Sequence, residues 1–211
     1  MAEASSATTF IVGDRLPWPE DVSASQATGP FDSGAIYGAD LRRECSIRKI
    51  SSLGATLRGD FAKVPGDAVS VELGTGQRPA GKVAWIEGGE AGVCFNQPVD
   101  MLALINRSLI NQPAERRIMP RVEIRCCIHL KWGGHLARGM LRNISANGLQ
   151  VESDDLPAEG AYVAVHVKGL MVPAGEVVWR KGNLAGIELF EELSWTSIMP
   201  WIRETMKDRA Q

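Results

Sequence analysis

Apolar and polar side chains alternate along residues 121–132, the pattern of a strand with one buried face. Val122 and Ile124 lie on one face of this strand, and Glu123 and Arg125 lie on the other. Further short apolar runs, separated by turn residues, predict five more strands over residues 136–144, 148–153, 162–168, 172–179 and 184–190. Six short strands at this spacing favour an antiparallel barrel, which closes on itself and leaves no exposed edge.

The apolar spacing lengthens to that of a helix in two places, residues 98–110 and 193–208. Each segment carries one apolar stripe, so we expect both helices to pack on a barrel or between domains. Pro200 lies inside the second segment and predicts a break or kink there, because proline cannot donate the helical hydrogen bond.

The sequence repeats itself at a constant offset of 94 residues, without a gap from Ile47 to Asn96. Arg48 aligns with Arg142, and the other identities concentrate at alternating valines and at glycines. The aligned glycines are Gly54 with Gly148, Gly66 with Gly160, Gly81 with Gly175, Gly88 with Gly182, and Gly92 with Gly186. Such positions set turns and inward faces, so the repeat predicts one fold used twice.

The predicted fold is therefore mainly β, with two tandem six-stranded antiparallel barrels that are each followed by an α-helix. The first barrel and helix span residues 34–110, and the second barrel and helix span residues 116–211. Residues 111–121 form the linker between them and also contain an arginine-rich arm.

The N-terminal residues 1–33 are rich in Ala, Ser, Thr, Gly and Pro and show little periodicity. We expect a flexible tail here, with one short ordered piece near Phe10–Val12. Trp18, which lies between two prolines, either docks a partner or packs against its own domain.

The composition indicates a globular protein of the cytoplasm. Apolar residues make up 45% of the chain, and no apolar run approaches the roughly 18 residues of a membrane helix. We expect no signal peptide and no membrane insertion. The four cysteines lack zinc-type spacing, and Cys126 and Cys127 point to opposite faces of one strand, which favours reduced thiols and no bound metal.

Positive charge is concentrated in one part of a mildly acidic chain. Residues 115–143 carry seven Lys or Arg against two Glu, whereas the whole chain has a net charge of −2. A compact positive field of this kind favours a small anion as ligand. The overall acidity and the lack of an extended basic stripe argue against nucleic acid.

Two short motifs flank the alternating strand: Arg117-x-x-x-Arg121 before it, and Asn143-x-Ser145-x-x-Gly148 after it. An arginine fork matches the O6 and N7 acceptors of guanine, stacks on purines and neutralises phosphate. The amide and hydroxyl of the second motif add donors and acceptors on one side of the chain, and Gly148 permits a positive φ or a close backbone approach.

Each motif alone is more typical of a solvated surface or a turn, but the two in this order favour a ligand site. In this arrangement the chain resembles the PilZ domain, a bacterial receptor module for cyclic di-GMP. The resemblance implies that Arg117, Arg121, Asn143, Ser145 and Gly148 clasp one nucleotide or an intercalated pair. Arg116 adds a second guanidinium next to Arg117 and joins the predicted site.

The first copy resembles a degenerate PilZ domain. Lys49 aligns with Asn143, although Ser51 and Gly54 remain. The offset places Ser23 and Ala27 opposite the two motif arginines, so the first copy has lost the clasp. A docking role is the expected use of this copy.

Two functional hypotheses follow from these features. In the first, the protein is a cyclic di-GMP receptor whose second domain binds the ligand and whose first domain relays the change to a partner. In the second, it is an adaptor with the PilZ fold that binds no nucleotide. Both expect an unidentified protein partner through the first domain or the helices, and the apolar helix faces are also compatible with a homodimer. No enzyme motif is present, and no cofactor is expected.

Overall fold

A computed structural model describes residues 8–18, 31–38, 42–110 and 121–209 of the chain. The protein divides into two compact units, Met1–Arg121 and Val122–Gln211. Each unit is built from short strands and one helix, and each is considered by itself below.

The described part of the first unit contains seven strands and one helix: β1 (Thr9–Ile11), β2 (Asp32–Tyr37), β3 (Arg42–Ser51), β4 (Gly54–Arg58), β5 (Ala68–Glu72), β6 (Ala80–Glu87), β7 (Glu90–Phe95) and α1 (Met101–Ile110). Strands β2 to β7 pair antiparallel around a closed ring in the order β3-β2-β5-β6-β7-β4, and β4 returns to β3. Strand β1 runs parallel to the end of β3, where Thr9 pairs with Lys49 and Ile11 with Ser51.

The described part of the second unit contains six strands and one helix: β8 (Arg121–Trp132), β9 (His135–Ile144), β10 (Gly148–Glu152), β11 (Tyr162–Val167), β12 (Gly175–Lys181), β13 (Leu184–Leu189) and α2 (Trp195–Arg209). All six strands pair antiparallel in the order β8-β9-β10-β13-β12-β11, and β11 returns to β8. This closure confirms the predicted six-stranded barrel.

The strands of the second unit follow the predicted bounds within one residue, except β12, which starts three residues later and ends two residues later than predicted. The prediction placed that start at residue 172, whereas the strand begins at Gly175. Pro173 explains the difference, because a proline has no N–H to give to a ladder.

Strands β4 and β10, and likewise β7 and β13, lie 94 residues apart along the chain, as the repeat requires. The strand pairings of the two units follow the same cycle, which is consistent with the expected tandem arrangement. Shared glycines have the same physical cause in both units. A Cβ on Gly81 would lie 2.2 Å from the Cys94 carbonyl oxygen, and one on Gly175 would lie 2.3 Å from the Glu188 carbonyl oxygen.

The alternating residues of β8 divide as predicted between the barrel interior and the surface. Val122, Ile124, Ile128 and Leu130 are buried, and the polar residues between them are half-buried or exposed. The core of the second unit also receives helix α2 through Ile198 and Ile202, which are fully buried. Because the apolar residues of β8 fill the interior, the residues between them form the outward face of the barrel, and the candidate site lies on that face.

Helix α2 continues through Pro200 from Trp195 to Arg209, so the chain does not break there, and the kink stays a prediction. Pro200 lies near the start of the helix, and Trp201, directly after it, is buried and donates its indole N–H to the Lys168 carbonyl oxygen at 2.9 Å. Tertiary packing of this kind outweighs the loss of one helical hydrogen bond.

Ordered structure near the N-terminus extends beyond the expected piece at Phe10–Val12. Residues 8–18 are part of the first unit, with Phe10, Ile11 and Val12 all buried. Thr8 donates its hydroxyl to the Ile47 carbonyl oxygen at 2.7 Å. Trp18 packs against Trp85 of the same unit, which is the second of its two expected roles.

Candidate functional site

The predicted site residues fall into two groups. Arg116 and Arg117 lie outside the described residues, together with the remainder of the arm over residues 111–120. The other four, Arg121, Asn143, Ser145 and Gly148, are described. Arg121 lies at the start of β8 and Asn143 near the end of β9. Ser145 lies in the β9–β10 connection, and Gly148 lies at the start of β10.

Strand pairing relates the first of these residues to the others. Val122 pairs with Ile144, and Ile144 lies between Asn143 and Ser145 in the chain. Because Ile144 is fully buried, its two neighbours face outward. Arg121 directly precedes Val122, so the arginine arm joins the barrel at the strand end where the second motif lies.

Ser145 and Gly148 close the connection between β9 and β10. The Gly148 carbonyl oxygen accepts from the Ser145 backbone N–H at 2.9 Å and from its hydroxyl at 3.2 Å. The motif is therefore a turn former in its own right. The Ser145 hydroxyl donates inside this turn, and its oxygen keeps the capacity to accept a hydrogen bond from a ligand.

Gly148 is required for a close backbone approach rather than for a positive φ. A Cβ at this position would lie 2.7 Å from the Ile187 carbonyl oxygen, and Gly148 is not among the described glycines with positive φ. Of the two reasons that the sequence allowed, the structure selects the close backbone approach. Any side chain here would separate β10 from β13 at the edge of the candidate site.

A row of residues crosses four neighbouring strand pairs next to this turn. Glu123 pairs with Asn143, and Asn143 pairs with Gln150. Gln150 in turn pairs with Gly186, which pairs with Trp179. The Asn143 amide N–H donates to the Gln150 side-chain oxygen. We refer to these five residues as the outer row.

The outer row ends in an aromatic surface. Ala185 and Ile187 are buried on either side of Gly186, so Gly186 faces outward. The Trp179 indole lies across this glycine, since a Cβ there would be 2.0 Å from the indole Nε1. Trp179 remains 40% exposed and therefore offers one ring face to solvent beside the polar part of the row.

The sequence predictions missed Gln150 and Trp179. A signal for Trp179 was present, because Trp85 with Gly92 and Trp179 with Gly186 are identical pairs in the two repeats. The seven-residue spacing spans a bulged hairpin, and only the strand register shows that it brings each tryptophan over its glycine. Gln150 carries no such signal, because the residue that aligns with it in the first repeat is Thr56, a different residue type.

Positive charge at the site comes from Arg121 among the described residues of the two motifs. Arg121 is exposed, yet nearby protein atoms partly desolvate its guanidinium and lower its pKa. Since the ordinary arginine pKa lies far above neutral pH, the side chain stays cationic. Arg142, between the outer row and the core, is neutralised by Glu152 at 2.6 Å.

The family model of the PilZ domain matches residues 115–198. The second unit carries a PilZ domain. The match includes Arg116, Arg117 and Arg121 and every residue of the Asn143-x-Ser145-x-x-Gly148 motif. It confirms the resemblance inferred from the two motifs.

Solved structures with similarity to this chain include three bacterial proteins. PlzA of Borreliella burgdorferi, solved in complex with c-di-GMP, is 11% identical with a TM-score of 0.34, and the match covers 82% of this chain and 86% of that one. The inhibitor of motility of Bacillus subtilis is 12% identical with a TM-score of 0.29, at 85% and 98% coverage. YcgR of Escherichia coli, solved in complex with c-di-GMP, is 11% identical with a TM-score of 0.24, at 85% and 84% coverage. No curated protein sequence matches the chain significantly.

Outside the PilZ site, the described residues show few other candidates for chemistry. Within residues 8–18, 31–38, 42–110 and 121–209, no three His, Cys, Asp or Glu side chains group to hold a metal ion. Cys126 is half-buried, whereas Cys127 and His129 on the same strand are exposed. In the part of the chain that the structure describes, no helix is long and apolar enough to cross a membrane.

Proposed function

We propose that the PilZ domain of this protein binds cyclic di-GMP and that the chain acts as an effector of this messenger, without enzymatic activity. The observation that carries the proposal is the position of the two motifs. The arginine arm leads into β8, and Val122 at its start pairs with Ile144 inside the second motif. The family match over residues 115–198 supports the same ligand.

Each predicted residue has a role that suits the chemistry of the ligand. Arg117 and Arg121, with Arg116 beside them, supply guanidinium forks for guanine edges and phosphates. Asn143 keeps one amide N–H and its carbonyl oxygen for a base, because its other N–H is engaged by Gln150. Ser145 accepts a hydrogen bond, and Gly148 keeps the turn close to the barrel.

Trp179 adds a stacking surface to this set. A guanine that contacts Asn143 and Gln150 would lie two strands from Trp179, because β13 lies between β10 and β12. One dinucleotide can span this distance. Aromatic stacking tolerates any base, so this contact contributes affinity, whereas the arginine forks and the amides select guanine.

Binding also suggests how the signal is passed on. The arm over residues 111–121 both links the two predicted domains and carries the arginines that take the ligand. Ordering of this arm around the nucleotide would therefore favour one orientation of the first domain, which we propose is a degenerate PilZ-like copy that docks a partner. Small-angle scattering with and without cyclic di-GMP tests this step. Identical scattering curves at saturating ligand would contradict it.

Isothermal titration with cyclic di-GMP tests the binding itself, with GTP as a ligand control. The double variant Arg117→Ala, Arg121→Ala removes two charge-assisted contacts of roughly 1.5–3 kcal/mol each, so binding should weaken at least tenfold. Lys131→Ala, Arg138→Ala is the matched control, because it removes the same charge from exposed positions near the other end of the β8–β9 hairpin.

The two variants separate a specific site from a general electrostatic effect. Loss of binding in the first variant and retention in the control would support the receptor. Equal weakening in both would leave only nonspecific attraction. No binding by the wild-type protein would favour the alternative proposal, an adaptor that uses the fold to hold a protein partner. The first copy provides a precedent for the loss of a motif residue, because it has Lys49 where the second copy has asparagine.

A further inference from the structure

Residues 16–18 of the N-terminal segment lie across the outer face of the first unit. The Thr56 hydroxyl donates to the Pro17 carbonyl oxygen at 2.5 Å. The ring centroids of Trp18 and Trp85 are 5.7 Å apart in an edge-to-face arrangement at 80°. The side chain of Leu16 reaches within 3.4 Å of the point where a Cβ on Gly54 would lie. We call Leu16, Pro17 and Trp18 the cap.

The cap covers positions that correspond to the candidate site of the PilZ domain. In the first unit Lys49 pairs with Thr56, Thr56 with Gly92, and Gly92 with Trp85. At the offset of 94 residues these are the positions of Asn143, Gln150, Gly186 and Trp179, which pair in the same way. The same row of backbone positions is therefore present on both units.

The two rows differ in what lies on them. Thr56 is 1% exposed beneath the cap, whereas the corresponding Gln150 is only half-buried. A Cβ on Gly92 would lie 2.1 Å from the Trp85 indole nitrogen and 2.6 Å from Trp18, so two indoles meet over this glycine. The cap thus supplies an indole ring, a carbonyl acceptor and an aliphatic side chain. The face beneath it carries a second indole ring, a hydroxyl donor and a glycine that leaves room for the aliphatic side chain.

The cap is held less extensively than the strand that precedes it. Strand β1 is fixed by its parallel pairing with β3 and by the burial of Phe10 and Ile11. Between β1 and the cap the chain turns at Gly13, whose φ is 145°, and the cap forms no strand. Displacement of the cap would therefore leave the contacts of β1 in place.

We propose that this face of the first unit is a binding site for extended peptides that present an aliphatic residue, a proline and a tryptophan in sequence. The cap is its occupant in cis. A segment tethered to the same chain competes at an effective concentration on the order of millimolar, so a partner segment of this chemistry binds only when it displaces the cap. Backbone acceptor contacts combined with a side chain in an aromatic site are a common form of peptide recognition.

The test uses the full chain and a synthetic peptide that copies residues 13–18, with blocked ends and a fluorescent label. The variant Leu16→Ala, Trp18→Ala removes both cap side chains and leaves β1 intact. Fluorescence anisotropy should show at least tenfold tighter peptide binding to this variant than to the wild-type protein. Adding Trp85→Ala to the variant should remove that gain, and a peptide with alanine for its tryptophan should not bind.

Thermal unfolding by circular dichroism first establishes that each variant is folded. If the cap variant is not folded, the single variant Trp18→Ala takes its place, because it removes only the indole that meets Trp85 and leaves the face beneath the cap unchanged. A several-fold gain in peptide affinity is expected there. Equal affinity of the folded variant and the wild type, or no binding to the variant at about 1 mM peptide, would overturn the proposal. No nucleotide is present, so the result is independent of cyclic di-GMP binding.

Discussion

The tryptophan–glycine pairs of the two units allow a matched prediction on stability, starting with Gly186→Ala. The new methyl group would lie 2.0 Å from the Trp179 indole nitrogen and 2.4 Å from the adjoining ring carbon. Ordinary contact needs about 3.5 Å, so the indole must move by roughly 1.5 Å or rotate into solvent. The backbone at this position gives no reason for strain, because Gly186 is not among the described glycines with positive φ.

The magnitude follows from the burial of the indole. Trp179 is 40% exposed, so its buried part, about 150 Å², stabilises the fold by at most about 4 kcal/mol at about 25 cal/mol per Å². Displacement loses about half of this, and replacing glycine in a strand regains about 0.5–1 kcal/mol. We expect Gly186→Ala to reduce the free energy of unfolding of the second unit by about 1–1.5 kcal/mol.

Gly92→Ala in the first unit should cost more. There the new methyl group meets Trp85 at 2.1 Å and also Trp18 at 2.6 Å, so two packed rings must move. We expect a loss of about 3 kcal/mol, at the upper end of the range for overpacked sites.

Differential scanning calorimetry of both variants, with tryptophan fluorescence to follow the indoles, measures these losses. The fluorescence of Gly186→Ala should shift to longer wavelength as Trp179 becomes more exposed. The reasoning is refuted if Gly186→Ala is as stable as the wild type with unchanged emission, or if Gly92→Ala is the milder of the two.

Two further predictions concern charge and thiol chemistry. Glu90→Ala should lower the free energy of unfolding by about 3 kcal/mol in urea denaturation, because Arg48, whose side chain is 8% exposed, loses its partner at 2.6 Å. Glu152→Ala, whose partner Arg142 is 23% exposed, should cost about 1 kcal/mol, and equal losses would contradict this reading. Burial raises the pKa of the Cys45 thiol to about 11, so a thiol reagent at pH 8 should label the exposed Cys127 and leave Cys45 unlabelled until the protein unfolds. Because the folded pKa of Cys45 lies above its unfolded value of about 8.5, its contribution to stability should decline as the pH rises from about 9 to 11. Faster labelling of Cys45 than of Cys127 would contradict the assigned burial of Cys45.

The sequence was sufficient for the strands of the second unit because their signal is local. Alternation places Val122 and Ile124 in the core without knowledge of any partner strand. The continuation of α2 through Pro200 was not predictable, because it depends on packing by Ile198 and Ile202. The cap was equally hidden, since nothing local to Pro17 indicates that Thr56 donates to it across 39 residues of chain.

The candidate site divides in the same way. The motif residues could be named because their spacing in the chain is short and their chemistry is specific. Gln150 and Trp179 enter the site through strand register, and register depends on bulges that shift the pairing beside Arg142 and Val178. A one-residue error at either bulge would turn the wrong side chains outward, so these members of the outer row required the structure.

The bulges also show which part of the repeat is held constant and which part varies. The extra residues are Arg48 and Ala84 in the first unit and Arg142 and Val178 in the second, which are the same positions at the offset of 94. Yet Arg48 binds Glu90 on β7, whereas Arg142 binds Glu152 on β10. Glycines and bulges therefore preserve the course of the backbone, while each side chain on it finds its own partner. On this account the corresponding row of the first unit can hold a peptide cap, and the outer row of the second unit can be left open for a nucleotide. The shared backbone positions both rows, and the side chains on each row determine which ligand it binds.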